Sequence, residues 1–230
     1  MGKLRGVKLI ASILIILGLA SCGGASSTDT TLAKTASATD ESLSSSFTYQ
    51  QIEGNWVSEC ITAEANSSEI VMLSFLSNDK NQHFYKEASA VFDSPNCSGA
   101  SSVVAFAGSV KYSGEYVTSI CTAEKTDVEI STIIVGDKKF SGEIAQSLLN
   151  EVNISNPAFD IACQYRDQLF IGQANQEFDR SSTEKRPTTL NVMVAFNPQA
   201  LVSAKDEINE TVTLKAFYDN FKVRLNSLVK

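Results

Sequence analysis

Histidine is almost missing from this 230-residue chain: His83 is the one it has. That excludes a multi-histidine metal site, and with it the common zinc arrangements. Proline (4) and glycine (12) are sparse, which excludes collagen-like and proline-rich low-complexity architectures. No apolar run reaches the roughly 20 residues that a membrane-spanning helix needs. Cations are outnumbered, 19 Lys and Arg against 26 Asp and Glu, and a formal charge of -7 argues against a nucleic-acid binder. The chain has no Gly-x-Ser-x-Gly elbow, no phosphate-binding glycine loop and no Cys-x-x-Cys pair. Carboxylates are plentiful, but no pattern selects two of them as an acid/base pair. The chain is therefore read as non-catalytic, without metal or cofactor.

At 43% hydrophobic, the sequence is rich enough to build a packed core. Its first segment is distinct. Lys3, Arg5 and Lys8 precede an apolar run of twelve residues, Leu9 to Ala20. A basic segment ahead of a short apolar one is the pattern of a secretory signal. The run ends in Leu19-Ala20-Ser21-Cys22, which resembles the lipobox of bacterial lipoproteins. That resemblance implies cleavage after residue 21 and a diacylglycerol thioether on Cys22. Two or three acyl chains hold a protein to a membrane stably where one holds it only marginally. The residue after Cys22 is Gly23 and not Asp, so the same resemblance implies transport to the outer membrane. Removing residues 1–21 leaves 16 basic and 26 acidic residues, a charge of -10. Such a chain is not drawn to anionic membranes and depends on its lipid for attachment.

Gly23 to Ser46 holds twelve Ser or Thr and no aromatic residue. This composition does not bury enough surface to offset ordering entropy. Residues 22–46 are read as the lipidated cysteine and a flexible tether, with an end-to-end distance of about 25–30 Å. The folded domain is expected over 47–230.

Within that domain the pattern is mostly of period two, as in half-buried strands. Candidate strands are Asn55–Ala63, Ser68–Leu76, His83–Phe92, Val104–Tyr112, Tyr116–Ala123, Val128–Ile134, Phe159–Tyr165, Gln168–Gln173 and Leu190–Phe196. Breaks fall at Ser77–Asn81, Ser94-Pro95-Asn96, Ser113-Gly114 and Arg166-Asp167. Many short strands at such spacing imply a mainly β, antiparallel sandwich or barrel. Two segments keep helical spacing instead. Ile144, Ala145, Leu148, Leu149 and Val152 predict a short helix near 142–152, with Ser141 as a candidate N-cap. Leu214, Phe217, Phe221, Leu225 and Leu228 predict a C-terminal amphipathic helix over about 212–229, its apolar stripe packed on the domain.

The cysteine count is odd, five in all. If Cys22 carries lipid, Cys60, Cys97, Cys121 and Cys163 remain, and an exported chain favours two disulfides. Three connectivities are open. Cys60–Cys97 and Cys121–Cys163 are favoured, because each joins strands close in sequence.

The lone tryptophan carries a second resemblance. Gly54-Asn55-Trp56 resembles the Gly-x-Trp signature of lipocalins. Trp56-x-Ser58-x-Cys60 followed by Asp93-x-x-x-Cys97 is similar to a lipocalin-like domain of small extracellular β-barrels. The resemblance covers about Ile52 to Ser113, and more weakly reaches Asn191. It implies an up-and-down antiparallel barrel able to hold a small apolar or lipid-like ligand. It also implies a late arginine packed over Trp56, for which Arg186 is the candidate. Trp56 itself is read as a core residue plugging one barrel end, with ligand contact as the other role. Two functions follow as expectations. One is a lipid-anchored binding lipoprotein with a ligand in its barrel. The other is a structural or adhesin-like interaction lipoprotein whose barrel is filled.

Overall fold

Alternating large and small or polar side chains make nearly every segment after Ile52 two-faced, and the strands bury both faces differently. The computed structural model describes residues 52–64, 66–99, 101–136, 138–198 and 210–228. The strands are β1 (Gly54–Ser58), β2 (Ile61–Glu64), β3 (Ser67–Ser77), β4 (His83–Phe92), β5 (Ser101–Val117), β6 (Thr122–Val135) and β7 (Lys138–Ser141). Helix α1 (Glu143–Glu151) follows, then β8 (Ala158–Tyr165), β9 (Gln168–Ile171), β10 (Phe196–Pro198) and helix α2 (Glu210–Leu228).

Eight strands close a ring. β1 pairs β3, then β4, β5, β6, β8, β9 and β10 follow in chain order, and β10 returns to β1. Every pairing is antiparallel. This is the up-and-down barrel of the lipocalin-like kind, which leaves no open edge in the ring. β2 continues the pairing of β1 along β3, and β7 occupies the stretch of β6 beyond β8.

The expected strand Asn55–Ala63 is therefore two strands, broken at Glu59-Cys60 where the chain is tied to Cys97. The expected strand Tyr116–Ala123 is a hairpin between β5 and β6, held by the Thr118 and Cys121 backbones. Ser113-Gly114 is not a turn: it is a bulge inside β5, which lets that strand run 17 residues. The alternating stretch Leu190–Phe196 forms only a bridge at Leu190 and the start of β10, and Val192 and Met193 lie exposed. Alternation alone did not supply a neighbouring strand edge for that segment to pair with.

The barrel interior is lined by one residue parity per strand. Trp56, Val71, Leu73, Phe75, Tyr85, Val104, Phe106, Val128, Ile130, Ala162, Leu169 and Phe196 form its core. A second register shift, between Ala107 and Gly108, moves the parity of β6, so Ile133 faces in and Ile134 faces out. Helix α1 closes one barrel end with Ala145 and Leu149, joined by Val152 and Ile154 beyond its C-terminus. Ser141 is not its N-cap. Ser141 ends β7, and Gly142 takes the cap position with a left-handed backbone and no side-chain bond. Ile144, expected on the buried stripe, is exposed.

Helix α2 packs on the outside of the barrel. Leu214, Phe217, Tyr218, Phe221 and Leu225 cover Ile70, Met72, Ala88, Ala90, Ala105 and Ala107 on β3, β4 and β5. Alanines on the outer face make room for the aromatic rings of the helix. The helix begins two residues before the start that the sequence spacing implied, and the side chain of Leu228 lies outside those described.

Candidate functional site

The interior of the barrel is where a ligand would sit, and its occupants are mostly the protein's own side chains. At the end where β1 begins, the backbone of Gly54 adopts φ +143°, a conformation that favours glycine. A Cβ placed there would stand 3.5 Å from the indole nitrogen of Trp56. The indole N–H donates to the carbonyl of Ile52 at 3.0 Å, and both residues are buried. Glu53 ties the same end, accepting from the backbone N–H of Ser77 at 2.9 Å. Gly-x-Trp thus folds the incoming chain against the inner face of β1.

Arg186 stands elsewhere. Its guanidinium lies over the ring of Phe159, 5.4 Å from the centroid, and not over Trp56. It donates to the carbonyls of Thr126 (2.9 Å) and Asp160 (2.6 Å), and it pairs with Asp127 at 2.5 Å. Phe159 and Asp127 are outward-parity residues of β8 and β6, so Arg186 pins the long β9–β10 connection to the barrel wall. The resemblance located a late arginine, but on the outer wall it meets Asp127 and the carbonyls of Thr126 and Asp160.

The arginine that enters the barrel is Arg180. It comes from the same connection, at a residue with φ +66°, and its side chain is 2% exposed. Its Nε lies 2.8 Å from Asp160 Oδ2, and its Nη2 donates to the Gly172 carbonyl at 2.6 Å. Asp160 Oδ1 accepts from the backbone N–H groups of Ile161 (2.8 Å) and Gly172 (3.1 Å). A Cβ at Gly172 would fall 2.3 Å from that oxygen, so only glycine permits this approach. Burial raises the Asp160 carboxyl above its ordinary range, opposed by Arg180 and by the two N–H groups.

Three more acids face inward. Glu87 of β4 is 1% exposed and accepts a hydrogen bond from the Tyr85 hydroxyl. Burial pushes its carboxyl up to about 7, against the Tyr85 hydrogen bond and the Arg180 charge. Glu69 of β3, equally buried, accepts from Ser89 Oγ at 3.2 Å. Burial, helped by the charge of Glu87, pushes it up to about 8. Burial also drives the Tyr85 phenol well above its usual value. Glu124, at the β6 rim, is raised by burial and by Glu115 opposite it.

None of these four, Glu69, Glu87, Asp160 and Arg180, was singled out from the sequence. A signal for two of them was present. Glu69 shares parity with Val71, Leu73 and Phe75, and Glu87 with Tyr85, so each is an acid on the apolar face of its strand.

Leu73, Phe75, Tyr85, Val128, Asp160 and Arg180 are among the walls of a cavity of about 30 Å³. That is room for about one or two waters. Ligand pockets run to about 300–1,000 Å³.

The disulfides are Cys60–Cys97 and Cys121–Cys163, with Cα separations of 5.8 and 6.7 Å. They tie opposite ends of the barrel, the first beside β2 and the second across the β5–β6 and β8–β9 hairpins. Cys22 lies outside the described residues. Among the described residues no group of three or more His, Cys, Asp or Glu is placed to hold a metal, and no helix is long and apolar enough to cross a membrane. No protein-family model matches this chain, and no curated protein matches it.

Proposed function

We propose that this chain is a lipid-anchored extracytoplasmic lipoprotein whose filled barrel serves as a non-catalytic interaction module. The observation that carries this reading is the interior. Aromatic and aliphatic side chains pack it, an Arg180–Asp160 pair lies within it, and a cavity lined by the described residues measures about 30 Å³. A carrier of apolar molecules needs a larger space with fewer charges in it. The anchor rests on Leu19-Ala20-Ser21-Cys22 and on the Ser/Thr-rich segment after it. Gly23 beside the lipidated cysteine supports an outer-membrane address, facing the periplasm or the cell surface. The four remaining cysteines fit an oxidising compartment, and their pairing in the fold supports export.

Crosslinking in whole cells tests the interaction role. A specific protein partner captured through the barrel surface supports it, and repeated capture of nothing above background counts against it.

A second reading keeps a ligand. Leu73, Phe75, Val128, Ile161 and Ile171 give the cavity an apolar wall, and rotation of Phe75 or Tyr85 would widen it. This is the barrel holding a small apolar or lipid-like molecule. It requires a copurifying ligand, which mass measurement detects.

A further inference from the structure

The charges inside the barrel do not balance. By register the titratable side chains on the inward face of the described strands are Glu69 on β3; His83, Tyr85 and Glu87 on β4; Tyr112 and Glu115 on β5; Glu124 on β6; Lys138 on β7; and Asp160 on β8, with Glu115 and Lys138 exposed at the rims. β1 and β9 contribute none. Arg180 is the guanidinium that reaches in, and it is committed to Asp160 and to the Gly172 carbonyl. Glu87 still has the Tyr85 hydroxyl. Glu69 has the least. One of its oxygens accepts from Ser89, the other has no hydrogen-bond partner, and none of the ion pairs among the described residues includes it. An ionised carboxylate so placed loses its hydration and gains little in return. The neutral acid loses far less.

We propose that Glu69 is held as the neutral acid inside the closed barrel, so that folding takes up a proton and rising pH loosens the barrel from within. The position is set by register. Glu69 stands opposite Val91 on the inward face, with Glu87 further along the neighbouring strand opposite Leu73. The charge of Glu87 makes Glu69 harder to ionise, since both sit in the same low-dielectric interior. The direction of both carboxyls, to about 8 for Glu69 and about 7 for Glu87, agrees with this arrangement. The unfolded chain ionises Glu69 near its ordinary value of 4.5. Between that pH and about 8 the folded state binds more protons than the unfolded state, so stability falls as pH rises. Above the folded value both states are ionised and the loss is complete. The barrel is thus tightest in acid and most readily opened in mild alkali, whatever its surface binds.

Thermal midpoints of the whole chain, measured from about pH 5 to about pH 9, test the proposal. The wild-type midpoint is expected to fall by several degrees up to about pH 8 and then level off. Glu69→Gln is expected to match or exceed the wild type near neutrality and to flatten the profile. Glu87→Gln should lower the pH at which the fall occurs. A wild-type midpoint that stays flat or rises across this range overturns the proposal, as does a Glu69→Gln profile as steep as the wild type. Should Glu69→Gln fail to fold, carboxyl-carbon NMR titration of the wild type decides. A glutamate still protonated at neutral pH supports the proposal, and complete ionisation of every glutamate below about pH 6 contradicts it.

Discussion

Arg180 and Asp160 hold each other in a place where neither would survive alone. The pair lies within the barrel, and the charge of each is met by the other and by backbone groups of Gly172 and Ile161. Replacing Arg180 by Met leaves an acid buried without its cation, a loss of about 3–5 kcal/mol. Denaturant unfolding measures it, and Arg180→Met combined with Asp160→Asn should cost less than the sum of the two. Gly172→Ala is expected to destabilise as well, because the added methyl meets both Asp160 and Pro187. At this scale the sequence was readable where a residue's chemistry is local. Gly54 and Trp56 sit together because a left-handed backbone and a large ring are needed at one point. The cysteines pair as adjacency implied. Arg180 was not readable, since a loop arginine carries no periodic mark, and Asp160 was hidden by Phe159 and Ile161, whose bulk suggested the opposite parity of β8. Arg186 was assigned to the Trp56 end by likeness, while the structure gives it Asp127 and the Phe159 ring.

Elements were legible in proportion to their length and to the availability of a partner. β4 spans the same residues in sequence and structure, and β3 differs by one residue at each end. The bulges of β5 and β6 were not foreseeable, because a one-residue shift alters parity without altering composition. Helix α2 was evident from its stripe, and its seat on the alanine-rich outer face of β3, β4 and β5 follows from close packing. Phe221→Ala should cost about 3–5 kcal/mol, whereas Asn220→Ala on the exposed face should change stability by less than about 0.5 kcal/mol. Equilibrium unfolding of the two variants separates packing from surface effects. The disulfides act on the same scale. Cys60→Ser with Cys97→Ser opens a link across 37 residues, and a loss of about 2–5 kcal/mol is expected in unfolding under non-reducing conditions.

The whole molecule is read as three parts, each with its own physics. In the function proposed above, a lipid on Cys22 would supply membrane affinity, the Ser/Thr-rich segment after it would supply reach, and the barrel would supply a defined surface. If the anchor is Cys22, then Cys22→Ser should move the protein from the membrane fraction to the soluble one or leave it unprocessed, and unchanged membrane partitioning would refute that assignment. The barrel itself is a closed wall around its own side chains. Its inner charges lean on Arg180, on Tyr85 and on a proton, and a cavity beside them, lined by described residues, measures about 30 Å³. The claim on which the functional reading turns is that nothing else is needed to fill it. Native mass spectrometry of the whole chain after gentle extraction addresses this directly. The account predicts the mass of the polypeptide and its covalent lipid alone, and a near-stoichiometric copurifying apolar molecule, released on unfolding, would contradict it.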